Sequence, residues 1–146
     1  MQMRPPFNHL LPKQKSIMVP TIPETETILL CDDERGIRRL LRTILTRHGY
    51  QVLEAQNGKH AMVVAEAHTG PIHLLLSDVL MPELDGPGLA EQLRAVRPDV
   101  RVIFMSAEWV PDGVFPFVQK PFLPSALMRT IRNALAQPPH PLRRNP

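Results

Sequence analysis

Asp78 ends an apolar run, Ile72-His73-Leu74-Leu75-Leu76-Ser77, and Val79-Leu80-Met81-Pro82 follows it directly. An acidic pair, Asp32-Asp33, ends an earlier run, Thr27-Ile28-Leu29-Leu30-Cys31. Carboxylates delivered at the ends of two strands can share one hard cation. Magnesium prefers such oxygen ligands in a near-octahedral set and keeps several waters. Lys120 ends a third candidate strand and Ser106 a fourth. Phosphoryl transfer needs an aligned nucleophile, a metal on the phosphate oxygens and a further cation. Asp78 is the candidate nucleophile. Asp33, Asp78 and a backbone carbonyl after Asp78 could ligate the metal, with Asp32 reaching it through water. Lys120 would pair with a carboxylate at rest and with the phosphoryl group after transfer, and Ser106 could donate a hydrogen bond to that group.

Taken singly, these residues have ordinary explanations. A lone aspartate at a strand end is most often a helix cap or a turn former. Asp32 or Asp33 could cap the first helix, Asp85-Gly86 reads as a turn, and Lys120 could be a solvated edge charge. The chemistry depends on the whole set meeting at one place, and so on the elements that carry it.

Residues 27–31 read as a buried strand. Helical spacing follows, with Ile37, Leu40, Leu41, Ile44, Leu45 and His48 on one face and Gly49 as a stop. Gln51–Ala55 is a short strand, and residues 58–68 are a weaker helix ended by Gly70-Pro71. Residues 72–77 form a strand covered on both faces. Leu89, Leu93 and Val96 mark a helix that stops at Pro98. Val100–Met105 is the fourth strand and Phe115–Val118 the fifth. Pro124 opens a last helix at a favoured position, with Leu127, Ile131 and Leu135 inward. This alternation implies a parallel sheet with helices on both faces. Ligands bind beyond the carboxyl ends of such strands, where the acids, Ser106 and Lys120 all fall. One segment breaks the pattern. Ala107 to Val114, with Pro111 and Gly113, is too short for an ordinary crossover. An irregular link or a single turn is expected there. Pro116 places the fifth strand at a sheet edge.

The bulk numbers bound the answer. The chain has 146 residues, 43% hydrophobic and 21% charged, enough for one domain with a real core. The single cysteine, Cys31, excludes an intrachain disulfide and fits a reducing, cytoplasmic setting. Within its strand it reads as a small core residue and not as a reactive thiol. No apolar run reaches membrane-spanning length and no signal peptide is read. The net charge of +3 comes from the ends: residues 1–23 hold Arg4, Lys13 and Lys15, residues 138–146 hold Arg143 and Arg144, and neither stretch holds an acid. The ends also hold more than half of the 17 prolines. Residues 1–25 and 138–146 are therefore expected to be disordered or extended tails with solubilising charge, flanking a domain at 26–137. His60 and His68 share a helix but lie too far apart for a metal pair, and His48 suits a helix C-terminus.

Four stretches carry a resemblance: Leu29-Leu30-Cys31-Asp32-Asp33-Glu34; Leu76-Ser77-Asp78 through Asp85-Gly86; Met105-Ser106-Ala107; and Val118-Gln119-Lys120-Pro121-Phe122. In this order they resemble a response-regulator receiver domain of two-component signalling. The resemblance implies a flavodoxin-like (βα)5 fold with strand order 2-1-3-4-5. It implies Mg2+-dependent transfer to Asp78 from a phosphohistidine on a sensor histidine kinase or histidine phosphotransfer protein. It assigns Leu80 a backbone carbonyl to the metal, Lys120-Pro121 a cis peptide, and Ser106 and Phe117 a coupled switch. Phe117 lacks a phenolic hydroxyl and would swing by packing alone. Leu80 and Glu108 fall at positions that tune dephosphorylation, and an apolar Leu80 implies a long-lived phosphoryl group. The family's fourth helix, between strands four and five, is expected to be short or absent. That departs from the family's usual output face and would set Trp109 either beside the site or in packing.

The expected function is a stand-alone phosphoacceptor in a phosphorelay that signals through protein contacts to an unknown downstream protein, as a monomer or phosphorylation-dependent homodimer. It would be no enzyme beyond its own phosphoryl transfer and slow autodephosphorylation. No DNA-binding domain and no membrane contact are expected. The alternative is a degenerate receiver that binds partners without phosphorylation. An aspartyl-phosphate phosphatase would want an acid two residues after the nucleophile, where Leu80 stands.

Overall fold

The computed structural model describes residues 25–108 and 116–141. Five strands alternate with helices: β1 (Thr27–Cys31), α1 (Arg35–Arg47), β2 (Gln51–Ala55), α2 (Gly58–Ala67), β3 (Leu74–Asp78), α3 (Gly86–Val96), β4 (Arg101–Ser106), β5 (Phe117–Gln119) and α4 (Pro124–Leu135). The strands form one parallel sheet in the order β2-β1-β3-β4-β5. This is the parallel sheet covered on both faces that the alternation implied, in the flavodoxin-like strand order that the resemblance implied.

The strand sequences explain the layers. In β1, Ile28 and Leu30 point to one face while Leu29 and Cys31 point to the other, and all are fully buried. The first face packs against Leu41 and Leu45 of α1 and Leu127, Met128 and Ile131 of α4. The second packs against Ala61 and Ala65 of α2 and Leu89, Ala90 and Leu93 of α3. Small residues on α2 let that helix approach the sheet closely. Each fully buried leucine contributes roughly 1.5–3 kcal/mol.

Several expectations need correction. Leu40 is 55% exposed and His48 is exposed. The buried stripe of α1 is centred on Leu41 and Leu45, and at about 100° per residue Leu40 lies about 120° from that centre. His48 caps the helix and turns its Nδ1 to the Ile44 carbonyl at 2.8 Å. Val96, the last residue of α3, is 64% exposed. Leu135 is only partly buried, and Met128 and Ala134 share the inward face of α4. β3 begins at Leu74, two residues later than expected. There His73 pairs with β1 by other means: its N–H donates to the Thr27 carbonyl and its Nδ1 accepts from the Thr27 N–H, both at 2.9 Å. β4 runs one residue further than expected and β5 starts at Phe117.

β5 pairs with β4 alone and is the expected edge strand, but Pro116 precedes it instead of lying within it, and the Pro116 carbonyl accepts from the Phe104 N–H at 3.1 Å. Most of the expected short link after β4, with Trp109, and also Phe115 fall in 109–115, outside the described residues. Most of both expected tails, 1–24 and 142–146, also lies outside them. Residues 138–141 carry no regular structure, and the Arg94 Nη1 donates to the His140 carbonyl. Among the described residues, no helix is long and apolar enough to cross a membrane.

Candidate functional site

The parallel register sets the strand ends level. Cys31 lies opposite Ser77, Asp78 opposite Met105 and Ser106 opposite Gln119. Residues just past these pairs therefore meet at one edge. Asp32, Asp33 and Asp78 each offer a carboxylate oxygen, and these oxygens all lie within 4.8 Å of one another. Asp32 is fully buried, Asp78 is 9% exposed and Asp33 faces solvent. The Lys120 ammonium lies 2.7 Å from Asp32 Oδ2 and 3.4 Å from Asp78 Oδ2. Its backbone is pinned too, with the N–H donating to the Ser106 carbonyl at 2.8 Å. The Lys120-Pro121 peptide is cis, as expected.

Backbone bonds lock the acids in place. Asp32 Oδ1 accepts from the Glu34 N–H at 2.9 Å, a local Asx turn that leads the chain into α1. Neither Asp32 nor Asp33 is the helix cap; Glu34 holds that position without a side-chain bond. Arg38 Nη1 donates to the Asp32 carbonyl at 2.7 Å. Asp85-Gly86, read as a plain turn, is the start of α3. Asp85 caps it by accepting from the Gly88 N–H at 2.8 Å, and the Gly86 N–H donates to the Val79 carbonyl at 2.9 Å. A Cβ on Gly86 would sit 2.4 Å from the Asp78 carbonyl oxygen. The missing side chain therefore lets α3 begin directly against the Asp78 backbone.

The electrostatics follow from three carboxylates sharing one ammonium. Burial pushes the Asp78 carboxyl above its ordinary value, with Asp32 and Asp33 adding to the rise and Lys120 opposing it. Burial alone would depress Lys120, but its hydrogen bond and charge contact with Asp32, joined by Asp78, hold the ammonium above its usual range. Burial, followed by the Asp32 charge, pushes the Cys31 thiol up to about 12. Such an acid excess with oxygen donors alone suits a hard divalent cation, and no softer donor is needed. Asp32, Asp33 and Asp78 fit Mg2+ on that ground.

The other expected residues are placed less tightly. Ser106 is buried at the same edge, and its Oγ accepts from the Glu108 N–H at 3.1 Å. Phe117 is partly buried against the α2–α3 side of the core. Glu108 is exposed, and the Leu80 side chain is 56% exposed. Arg38 and Gly86 were missed by sequence reading. The one signal for Gly86 was its place in Asp85-Gly86-Pro87-Gly88, where a capping acid precedes a proline at a helix start.

Comparison with known proteins agrees with this geometry. The family model for the response regulator receiver domain matches residues 28–132. The sensor kinase CckA of Brucella abortus is 38% identical over 117 residues, which cover 75% of this chain and 12% of that protein. The probable transcriptional regulator ycf27 of Porphyra purpurea is 38% identical over 120 residues, covering 77% of this chain and 48% of the relative. The chain thus matches about half or less of the length of these curated relatives. Among solved structures, the receiver domain of the hybrid histidine kinase CckA is 35% identical with a TM-score of 0.67, covering 75% of this chain and 98% of that one. The chain belongs to the response regulator receiver domain family of two-component signalling.

Proposed function

We propose that this chain is a cytoplasmic phosphoacceptor that takes a phosphoryl group on Asp78 from the phosphohistidine of a sensor kinase or histidine phosphotransfer protein. The observation that carries the reading is the Lys120 ammonium held between Asp32 and Asp78, beside a third carboxylate. An Asp78 carboxylate oxygen attacks phosphorus, the phosphorus–nitrogen bond breaks, and the imidazole keeps the electron pair. Lys120 then pairs with the oxygens of the new acyl phosphate, and the Ser106 hydroxyl donates to one of them. Phe117 follows Ser106 by repacking. When bound, Mg2+ supplies charge neutralisation on the phosphoryl oxygens; Asp32, Asp33, Asp78 and the Leu80 carbonyl would hold it. The product signals through protein contacts, as a monomer or as a homodimer formed on phosphorylation, and loses its phosphoryl group slowly. No observation among the described residues favours a binding module that works without phosphorylation.

Incubation with a small-molecule phosphodonor and Mg2+, read by intact mass, tests the assignment. The wild type should gain one phosphoryl group and Asp78→Asn none. Uptake by both proteins, or by neither, removes Asp78 as the acceptor.

A further inference from the structure

On the α1 side of the molecule, a cavity of about 270 Å³ opens between α1 and the exit of β2. Arg35, Arg38, Arg39 and Arg42 line it, with Glu54 and His60 opposite. The arginines recur at the spacing that stacks side chains on one helix face, a stripe about 10 Å long at about 1.5 Å per residue. Glu54 is the single acid in the lining, and it is already engaged, 2.8 Å from Arg42 and 3.8 Å from Arg38. Arg38 is held further by its bond to the Asp32 carbonyl. Arg35 and Arg39 make no ion pair among the described residues. Helix α1 has no acidic residue in its first turn; Asp33 and Glu34 precede it and do not line the cavity. Four guanidinium groups against one carboxylate leave a concave surface with an uncompensated positive charge.

We infer that this cavity is an anion site for a compact ligand carrying two or more phosphate groups. Guanidinium forks match phosphate oxygens two at a time, and several of them on a stripe match a chain of phosphates better than a single one. The lining contains no Phe, Tyr or Trp; its one aromatic ring is His60, whose Nδ1 accepts from the Gln56 N–H at 3.2 Å, against four guanidinium groups. The phosphates therefore supply the recognition, whether they come as inorganic polyphosphate or as the polyphosphate arm of a nucleotide. The site is distinct from the Asp78 pocket and does not depend on phosphorylation.

The test is titration of the full chain with tripolyphosphate in metal-free buffer, followed residue by residue by amide NMR, with ATP in a parallel arm. Saturable shifts should centre on residues 35–42 and 54–60. Arg39→Gln combined with Arg42→Gln should weaken binding at least tenfold, and Arg39→Gln alone, which breaks no ion pair, should weaken it several-fold. Glu54→Gln should tighten binding, because it releases Arg38 and Arg42. Equal affinity for ATP and tripolyphosphate assigns the inorganic arm as the recognised part; tighter ATP binding assigns a nucleotide. Shifts centred on Asp78 and Lys120, affinity indifferent to the arginine variants, or tighter binding of an oligoglutamate peptide than of tripolyphosphate would each overturn the inference.

Discussion

One substitution made at two glycines should move stability in opposite directions. Gly36 and Gly86 both lie in the first turn of a helix. A Cβ added at Gly36 meets nothing within 4 Å. Gly36→Ala should therefore stabilise by ~0.4–1 kcal/mol, because alanine has less conformational freedom to lose on folding. At Gly86 the same Cβ falls 2.4 Å from the Asp78 carbonyl oxygen and 3.1 Å from both Val79 Cα and Phe104 Cε1. Two of these three atoms are backbone, and the Gly86 N–H is bonded to the Val79 carbonyl, so neither side can yield cheaply. Overpacking of this kind costs about 1–3 kcal/mol, and the rigidity of the partner puts Gly86→Ala toward the upper end, well beyond the entropic gain. Urea unfolding reads both changes. With a slope of about 1–3 kcal/mol per molar, the midpoint should fall by roughly 1 M for Gly86→Ala and rise by a few tenths for Gly36→Ala. Phosphoryl uptake by Gly86→Ala should also slow, since the strained atom is the carbonyl of Asp78, the proposed acceptor. A Gly86→Ala midpoint at or above wild type would refute the close-approach argument.

Asp78→Asn should be more stable than wild type at neutral pH in metal-free buffer. The folded-state value of Asp78 is raised by burial and by Asp32. Its contribution is therefore fully present below the unfolded value of about 3.9 and is lost as pH rises through the folded value. Thermal melts should show the gap between the two proteins closing as pH falls toward 4; a gap that widens on acidification contradicts the sign. Leu80→Asn places a polar side chain where an exposed leucine stands two residues after the acceptor, and it should speed loss of the phosphoryl group several-fold in a timed decay assay. An unchanged decay separates Leu80 from dephosphorylation. Cys31, fully buried with its thiol pushed up to about 12, should resist maleimide in the native state and label completely in denaturant. Native labelling within minutes at neutral pH would show that β1 opens far more readily than its packing implies.

The fold was legible because its main signals are local. Apolar runs marked β1 and β3, Gly and Pro marked the breaks, and the alternation implied a parallel sheet whose strand order the resemblance supplied. Boundaries were less legible where a side chain replaces a backbone partner. His73 continues the β1 pairing with its imidazole, so the apolar run from Ile72 overstated β3. Leu40 was misplaced for a different reason. Period 3.6 defines a stripe but not its centre, and the centre of α1 is set by the sheet beneath Leu41 and Leu45. Arg97 carried no signal at all. It closes the lower ends of α2 and α3 by donating to the carbonyls of Ala65, His68 and Gly70, partners up to 32 residues away in sequence.

The site divides along the same line. Residues that bear charge at strand ends could be found in advance, because a parallel sheet leaves its carboxyl edge as the place where they must gather. What holds them could not. The pocket confines three carboxylates with one ammonium, an arrangement that costs free energy until a cation arrives. Its geometry survives because the surroundings are over-determined. Asp32 is fixed at its side chain by the Glu34 N–H and at its carbonyl by Arg38, Lys120 is fixed at its backbone by Ser106, and Asp78 has α3 started against it at Gly86. Each of these supports acts through a main-chain atom, whose position exists only once the strands have paired. Two chains could therefore share every charged residue of the motif and still differ in how firmly the residue at the Asp78 position is held. Under the proposed function, chains that keep Asp32, Asp33, Asp78, Ser106 and Lys120 should differ in phosphorylation rate first through the supports at Arg38 and Gly86.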